Sequence, residues 1–399
     1  MARGRRNPQV SMLAFVDLEE RVPVGHPIRA IKRMADRALA ELSPVFDAMY
    51  AETGRPSIPP ERLLKAELLI ALFSVRSERA FCADLDYNLL YRWFLDMSLM
   101  EPSFNPSSFS KNRARLVKHE VAALFFAAVV GQAKTKGLLS DEHFTVDGTL
   151  IEAAASLKSF RRKEMEPGDG KDGPAATVTT EATPVVDPVV SPAPGSSEER
   201  DDPGNRTVNF RGEKRSNATH LSTTDPESRL AKKSAGKEAK LSYGAHALME
   251  NRHGLLVDFQ IRTATGTGER DIVPALLESA MARGLHPTTL GADKGYDTKA
   301  CVADLQRRGV LPHVTQNITK DRGSAVDEET TRHPGYVVSQ RKRKLVEEIF
   351  GWMKTVGGFR RTRYRGLERT QLAGYLVGAA YNLVRMSRLE RYAETCTAG

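Results

Sequence analysis

Cysteine is scarce: Cys82, Cys301 and Cys396 are the three in 399 residues. They lie far apart without paired spacing, which argues against a disulfide framework and against a zinc site. A reducing cytoplasm is the compartment that fits. No run approaches the roughly 20 apolar residues needed to cross a bilayer, and the basic start Met1 to Arg6 is followed by Asn7 and Pro8 rather than an apolar signal region. A soluble, unexported chain with no membrane partner is expected. Aromatic residues make up only 7%, and none occurs between Arg161 and Asn209, where proline accumulates among Gly, Ser, Thr and acidic residues. Such a stretch cannot bury enough apolar area to offset its ordering entropy. Residues 161–209 are therefore expected to be a disordered insertion, with a structureless domain linker as the alternative.

Acidic residues are also in deficit, 50 against 59 basic ones, for a net charge of +9 and a pI near 9.4. Clustered Lys and Arg gain affinity for phosphate backbones through counterion release, so nucleic acid is the first partner to consider. The length suggests two or three domains, a catalytic core with accessory modules.

Helical periodicity fills the stretch from Ile28 to about His119, with Leu63, Leu64, Leu68, Leu69, Leu72 and Phe73 recurring at three- and four-residue intervals behind Pro59 and Pro60. Asn105-Pro106-Ser107-Ser108 reads as a cap before a short helix carrying Lys111, Arg113, Arg115 and Lys118. Two readings stay open for it, a DNA-reading helix-turn-helix and the solvated basic face of a bundle helix. At His143 to Ala153 the pattern turns to strand, with Asp147-Gly148 as a turn dipeptide. Leu241 to Asn251 and Leu255 to Ile261 read as a hairpin, Ile272 to Arg283 as a helix, Thr288 to Ala292 as a strand ending at Asp293, and Leu311 to Thr315 as another short strand. From Val338 onward the chain is mainly helical. This gives an N-terminal helical domain over 1–138, an α/β catalytic domain over 139–390 and a tail over 391–399.

Moving a phosphoryl group between DNA strands requires charge neutralisation at the attacking and leaving oxygens, which two Mg²⁺ ions about 4 Å apart supply. Such hard cations take a few carboxylates from separate elements. Asp147 and Asp293 each end an apolar strand-forming stretch, where ligands gather in α/β sheets; a turn aspartate and a helix cap are the alternative readings, with Asp297 competing for the cap. In Leu345 to Met353 the apolar face takes Leu345, Val346, Ile349, Phe350 and Met353, while Arg343, Glu347 and Lys354 fall within about 40° of one another. Glu347 is the metal candidate of that helix; Glu348 and Lys344 read as an exposed pair. An ordinary amphipathic helix is the bland alternative. Nine basic residues, including Arg360, Arg361 and Arg363, crowd residues 340–366 against Glu347 and Glu348. Their interleaving with Trp352, Phe359 and Tyr364 suits a surface that contacts phosphates and stacks an unpaired base.

Taken together these residues resemble the insertion-sequence-5 family of bacterial transposases, of the DDE class. The resemblance rests on Arg55-Pro56 through Arg79, Leu85 to Phe94, Thr145-Val146-Asp147-Gly148-Thr149, Ser222 to Glu227, Tyr243-Gly244-Ala245-His246 and Ala292-Asp293-Lys294-Gly295-Tyr296-Asp297. It implies a ribonuclease-H-like mixed sheet with flanking helices, preceded by the helical domain and interrupted by the insertion. It further implies that Asp147, Asp293 and Glu347 bind two Mg²⁺ ions, with Mn²⁺ as a substitute, and that Arg343 and Lys354 hold DNA. The family's last helix carries Tyr, Arg, Glu and Lys at offsets of three, four and seven; Gln340 stands in place of that tyrosine. The function implied is binding of terminal inverted repeats, cleavage at the element ends and strand transfer to target DNA by a homodimer acting at the bacterial nucleoid. Lys111, Arg113, Arg115, Arg360, Arg361 and Arg363 are further DNA-contact candidates. The alternatives are a domesticated relative that acts as a nuclease or as a DNA-binding regulator.

Overall fold

The computed structural model describes residues 16–397 apart from 52, 54–56, 164–208, 211–212, 234–235, 267 and 319–322. Its N-terminal region is helical: α1 (Leu18–Arg21), α2 (Pro27–Glu41), α3 (Ser43–Met49), α4 (Pro60–Leu72), α5 (Glu78–Leu85), α6 (Leu89–Phe94), α7 (Pro106–Lys118) and α8 (Val121–Thr135). Local chemistry sets the starts. Pro60 opens α4, where a missing N–H costs nothing, and the Asn105 side chain accepts the Ser107 N–H at 3.0 Å to cap α7. The spaced leucines of α4 are buried as their periodicity requires, against apolar faces of α2 and α8.

The sheet begins with β1 (His143–Glu152). After it come β2 (Phe160–Arg162), β3 (Asn209–Phe210), β4 (Glu213–Lys214), β5 (His220–Ser222), β6 (Arg229–Ala231), β7 (Lys240–Glu250), β8 (Leu255–Thr263), β9 (Thr289–Ala292) and β10 (Leu311–Val314). The main sheet runs β10-β9-β1-β7, with β6 and β8 sharing the far edge of β7. β1, β7 and β8 form an antiparallel meander, and β9 and β10 lie parallel to β1. That mixed order is the ribonuclease-H-like one. The interposed helices are α9 (Gly268–Asp271), α10 (Val273–Ala282), α11 (Lys299–Arg307), α12 (Glu328–Arg332), α13 (Pro334–Lys342), α14 (Leu345–Lys354) and α15 (Leu367–Thr397).

Three expectations change. Asp147-Gly148 is no turn: β1 pairs continuously with β7 from Phe144 to Glu152, so the dipeptide lies mid-strand. Most of the expected insertion, 164–208, lies outside the described residues, but Arg161 and Arg162 pair with Leu221 and His220, which makes them part of a two-stranded ladder. The residues read as a tail continue α15 to Thr397, since no Pro or Gly interrupts the helix before Gly399.

One long helix joins the two regions. α15 packs on β8 and also on α2, α4 and α8, and its approach to the sheet depends on small residues. A Cβ placed on Gly374 would stand 2.6 Å from the Phe259 ring, and one on Gly378 2.8 Å from Leu256. Gly374→Ala is expected to destabilise the fold by about 1–3 kcal/mol, the usual cost of overpacking, measured by denaturant unfolding; an unchanged midpoint would show that the contact relaxes. On the opposite face, Arg283 at the end of α10 reaches Asp258, whose side chain points away from Phe259 by the strand's alternation.

Candidate active site

The β1–β9 ladder closes at Thr145 opposite Gly291 and goes no further. Two residues beyond those partners stand Asp147 and Asp293, so both aspartates sit at the same height on adjacent parallel strands, where the sheet opens. At the far end of the same edge of β1, the Glu152 N–H donates to the Arg360 carbonyl (3.0 Å) and the Thr362 N–H to the Glu152 carbonyl (2.8 Å). The edge of β1 is thus covered at both ends and open between them, over the stretch that begins with Asp147. Strand alternation puts Thr145, Asp147 and Thr149 on one face.

Two acids and one base shape the charge there. Burial pushes the Asp147 carboxyl up to about 6, Asp293 and Glu269 push it further, and Arg343 and the Gly148 N–H (2.7 Å) oppose them. Asp293 accepts the Gly295 N–H at 2.7 Å. Asp297, the competing cap, instead accepts the N–H groups of Asn317 (2.6 Å) and Ala325 (2.8 Å) and ties down the segment after β10, while Thr298 caps α11. Below its ordinary pKa of 3.8 Asp147 is protonated folded or unfolded; between 3.8 and about 6 only the folded protein keeps the proton. Stability without divalent cations is therefore expected to fall, by on the order of 2 kcal/mol, as pH rises through that window. Urea titrations in chelator at several pH values should show this slope in the wild type and not in Asp147→Asn.

α13 and α14 place the basic groups. Arg343 lies at the bend between them, its Cβ 3.6 Å from where a Cβ on Gly291 would stand, and its Nε donates to Gln340 Oε1 at 3.0 Å. Gln340 also donates to the His313 carbonyl (2.6 Å) and accepts from the Thr315 hydroxyl (2.7 Å). The residue standing in place of the family tyrosine thus clamps α13 to β10 and braces Arg343. At the other end of α14, Lys354 Nζ donates to Thr149 Oγ1 at 2.5 Å. Burial first, then Lys233 and Arg360, lower its pKa to about 8, the signature of basic groups gathered without their anion. Val346, Ile349, Phe350 and Met353 are buried as the periodicity requires. Glu347 lies between the two bases on α14 and is exposed. Among the described residues, no three His, Cys, Asp or Glu side chains stand close enough to enclose a metal ion.

The other basic candidates divide. Lys111 and Arg115 are exposed on α7, and Arg115 lies over the Tyr50 ring at 4.6 Å. Arg113 turns inward: it pairs with Glu78, lies 3.8 Å from Glu67 and stacks 4.2 Å over Tyr364. Arg363 donates to the Val75 carbonyl (2.6 Å) and Arg361 to the Ala153 carbonyl (3.0 Å), so both brace the backbone, whereas Arg360 keeps its side chain exposed near Lys354. The aromatic residues expected to stack bases are used for packing. Phe359 is buried, Tyr364 is enclosed by Arg113 and Glu78, and Trp352 sits edge-on to Tyr381. Asp225 and Glu227 accept the Gly366 and Leu367 N–H groups at the start of α15, consistent with the turn read there.

Sequence reasoning missed two groups at this site. Lys233 adds to the basic cluster. Glu269 on α9 reaches β1 beside Asp147; its carboxyl is raised by burial and by Asp293. A glutamate set among glycines and threonines just before a helix, Thr265-Gly266-Thr267-Gly268-Glu269, was the available signal.

Residues 213–383 match the family described as "Transposase DDE domain". The chain carries a transposase DDE domain. Residues 16–115 match a second family, "Transposase domain (DUF772)", and the two matches together support a DDE transposase. No curated protein matches the chain. Among solved structures the chain is similar to the "Crystal structure of a pre-cleavage Mos1 transpososome", at 8% identity over 85% of this chain and 82% of that one, with a TM-score of 0.19; a likeness that low carries no argument. The matched DDE region begins after β1, and it is the sheet that brings Asp147 beside Asp293, Arg343 and Lys354.

Proposed function

We propose that this DDE transposase belongs to the insertion-sequence-5 family, binds the terminal inverted repeats of its element, cuts the DNA at the element ends and joins them to target DNA. The observation that carries the reading is the register of Asp147 and Asp293 at the point where β1 and β9 part. Two carboxylates facing one opening, each raising the other's cost of ionisation, fit a hard divalent cation, which binds oxygen donors and few of them. Asp147 and Asp293 would hold it, with Glu347 of α14 as the third acid. Mg²⁺ bound there, replaceable by Mn²⁺, supplies charge neutralisation at the attacking and leaving oxygens of the phosphodiester.

The protein's own groups supply the rest. Arg343 lies beside the aspartates, held by Gln340, and is positioned to bind a phosphate at the cleaved bond. Lys354, Lys233 and Arg360 form a cationic cluster along the same edge of β1 that gains by accepting DNA phosphates. Lys111 and Arg115 offer a second basic surface on α7. Arg361 and Arg363 hold the segment after α14 in place, so their contribution to DNA binding is indirect. A homodimer in the cytoplasm, on nucleoid DNA, would bring two element ends together.

The test is incubation of the purified chain with Mg²⁺ and a labelled duplex that carries the flanking genomic repeats. Joined products support strand transfer, cleaved but unjoined ends reduce the activity to that of a nuclease, and binding alone leaves a DNA-binding regulator.

A further inference from the structure

Glu269 has no place in the reading above, yet its side chain occupies the space over Gly148. A Cβ on Gly148 would stand 2.8 Å from Glu269 Cγ and 2.9 Å from Oε1. The glycine is what lets this carboxylate come down on β1 next to Asp147, and the cost is a third negative charge set beside two others. Arg270 follows Glu269 in sequence and opposes the effect only in part.

A second observation points to a missing occupant. Two fully buried polar groups near Glu269 have no hydrogen-bond partner among the described residues. One is the Tyr296 hydroxyl, whose charged neighbours are Glu269, Asp147 and Asp293. The other is Nδ1 of His246, which pairs across the ladder with Gly148 and whose Nε2 lies 4.0 Å from where a Cβ on Gly268 would stand. Buried donors and acceptors left open around converging carboxylates are the usual trace of an ordered water or ion.

We infer that Glu269 is a further carboxylate of the cation site, approaching the gap between Asp147 and Asp293 from α9 and taking the cation directly or through one of its waters, with Tyr296 and His246 completing the hydrogen bonds of those waters. This deepens the proposed function and rests on Asp147 and Asp293 forming the site. A carboxylate delivered from the helix between β8 and β9 tightens the cation before any DNA is bound, independently of Glu347 on α14.

The experiment is Mn²⁺ binding to the full chain without DNA, by titration calorimetry and by the loss of the free-ion paramagnetic resonance signal. Glu269→Gln, which keeps the shape of the side chain, is expected to weaken Mn²⁺ by roughly 10- to 100-fold, the scale of supporting groups at metal sites. Gly148→Ala should do nearly the same by pushing Glu269 aside, and adding it to Glu269→Gln should cost little more, since the two act on one group. Circular dichroism of the metal-free variants checks that both are folded. If Glu269→Gln binds Mn²⁺ as the wild type does while Asp147→Asn does not, the inference fails and the two-aspartate site stands. If Asp147→Asn also binds normally, both fail.

Discussion

Asp147→Asn is expected to lower cleavage and strand transfer by roughly three orders of magnitude, the upper range for loss of a single group that stabilises transition-state charge, while leaving binding to terminal-repeat DNA within about twofold. Asparagine has the shape of aspartate and keeps an oxygen to accept the Gly148 N–H, so strand pairing and fold are retained; what is lost is the negative charge opposite Asp293. Asp293→Asn should give the same phenotype, and the double variant should be little worse than either, because groups that act as a unit are not additive. The measurement is a time course with labelled element ends, paired with gel-shift titration of the same DNA. Undiminished cleavage by either variant would remove that aspartate from the site. Since neutralising a carboxyl that is hard to ionise relieves repulsion, the metal-free variant should also be at least as stable as the wild type at neutral pH.

The second large effect falls on stability. Arg113 stands among Glu67, Glu78 and Tyr364 with 11% of its side chain exposed. Glu67 is enclosed as well; burial raises its carboxyl, and Arg113 and Arg363 are the groups that offset this. Arg113→Ala leaves two acids facing each other without their cation and is expected to cost about 3–5 kcal/mol, the range for removing one partner of a buried ion pair. Adding Glu67→Gln should recover part of that loss. Arg115, two positions along the same helix, is exposed, and its replacement by alanine should change stability by less than about 1 kcal/mol. Urea unfolding of the variants decides: a small loss for Arg113→Ala, accompanied by weaker DNA binding, would return it to the DNA-contact surface.

That pair shows where the sequence was legible and where it was not. On α7 the basic residues are equivalent by composition, and only tertiary packing tells Arg113, which meets acids from α4 and α5, from Lys111 and Arg115. The aromatic residues after α14 were misread for a related reason: spacing among basic residues suggests stacking on bases, but Phe359 and Tyr364 fill the junction between the helical region and the sheet. Strand signals were strong, because β7, β8, β9 and β10 are apolar segments bounded by turn residues and Asp293 follows directly from the end of β9. The Asp147-Gly148 dipeptide misled, since a glycine admitted for close approach of Glu269 carries the same letter as one required by a turn. Glu269 itself was invisible to pattern reasoning: a lone glutamate gains meaning only when α9 is folded against β1.

A final consequence follows from α15. Its 31 residues lie against the sheet along one side and against α2, α4 and α8 along another, so the apolar interior is one continuous mass. The change from helical to mixed pattern near residue 139 marks a switch in architecture without a seam in packing. Each half finishes the other's interior, and the chain should melt cooperatively as a single body, so that a blow to the junction is felt at both ends.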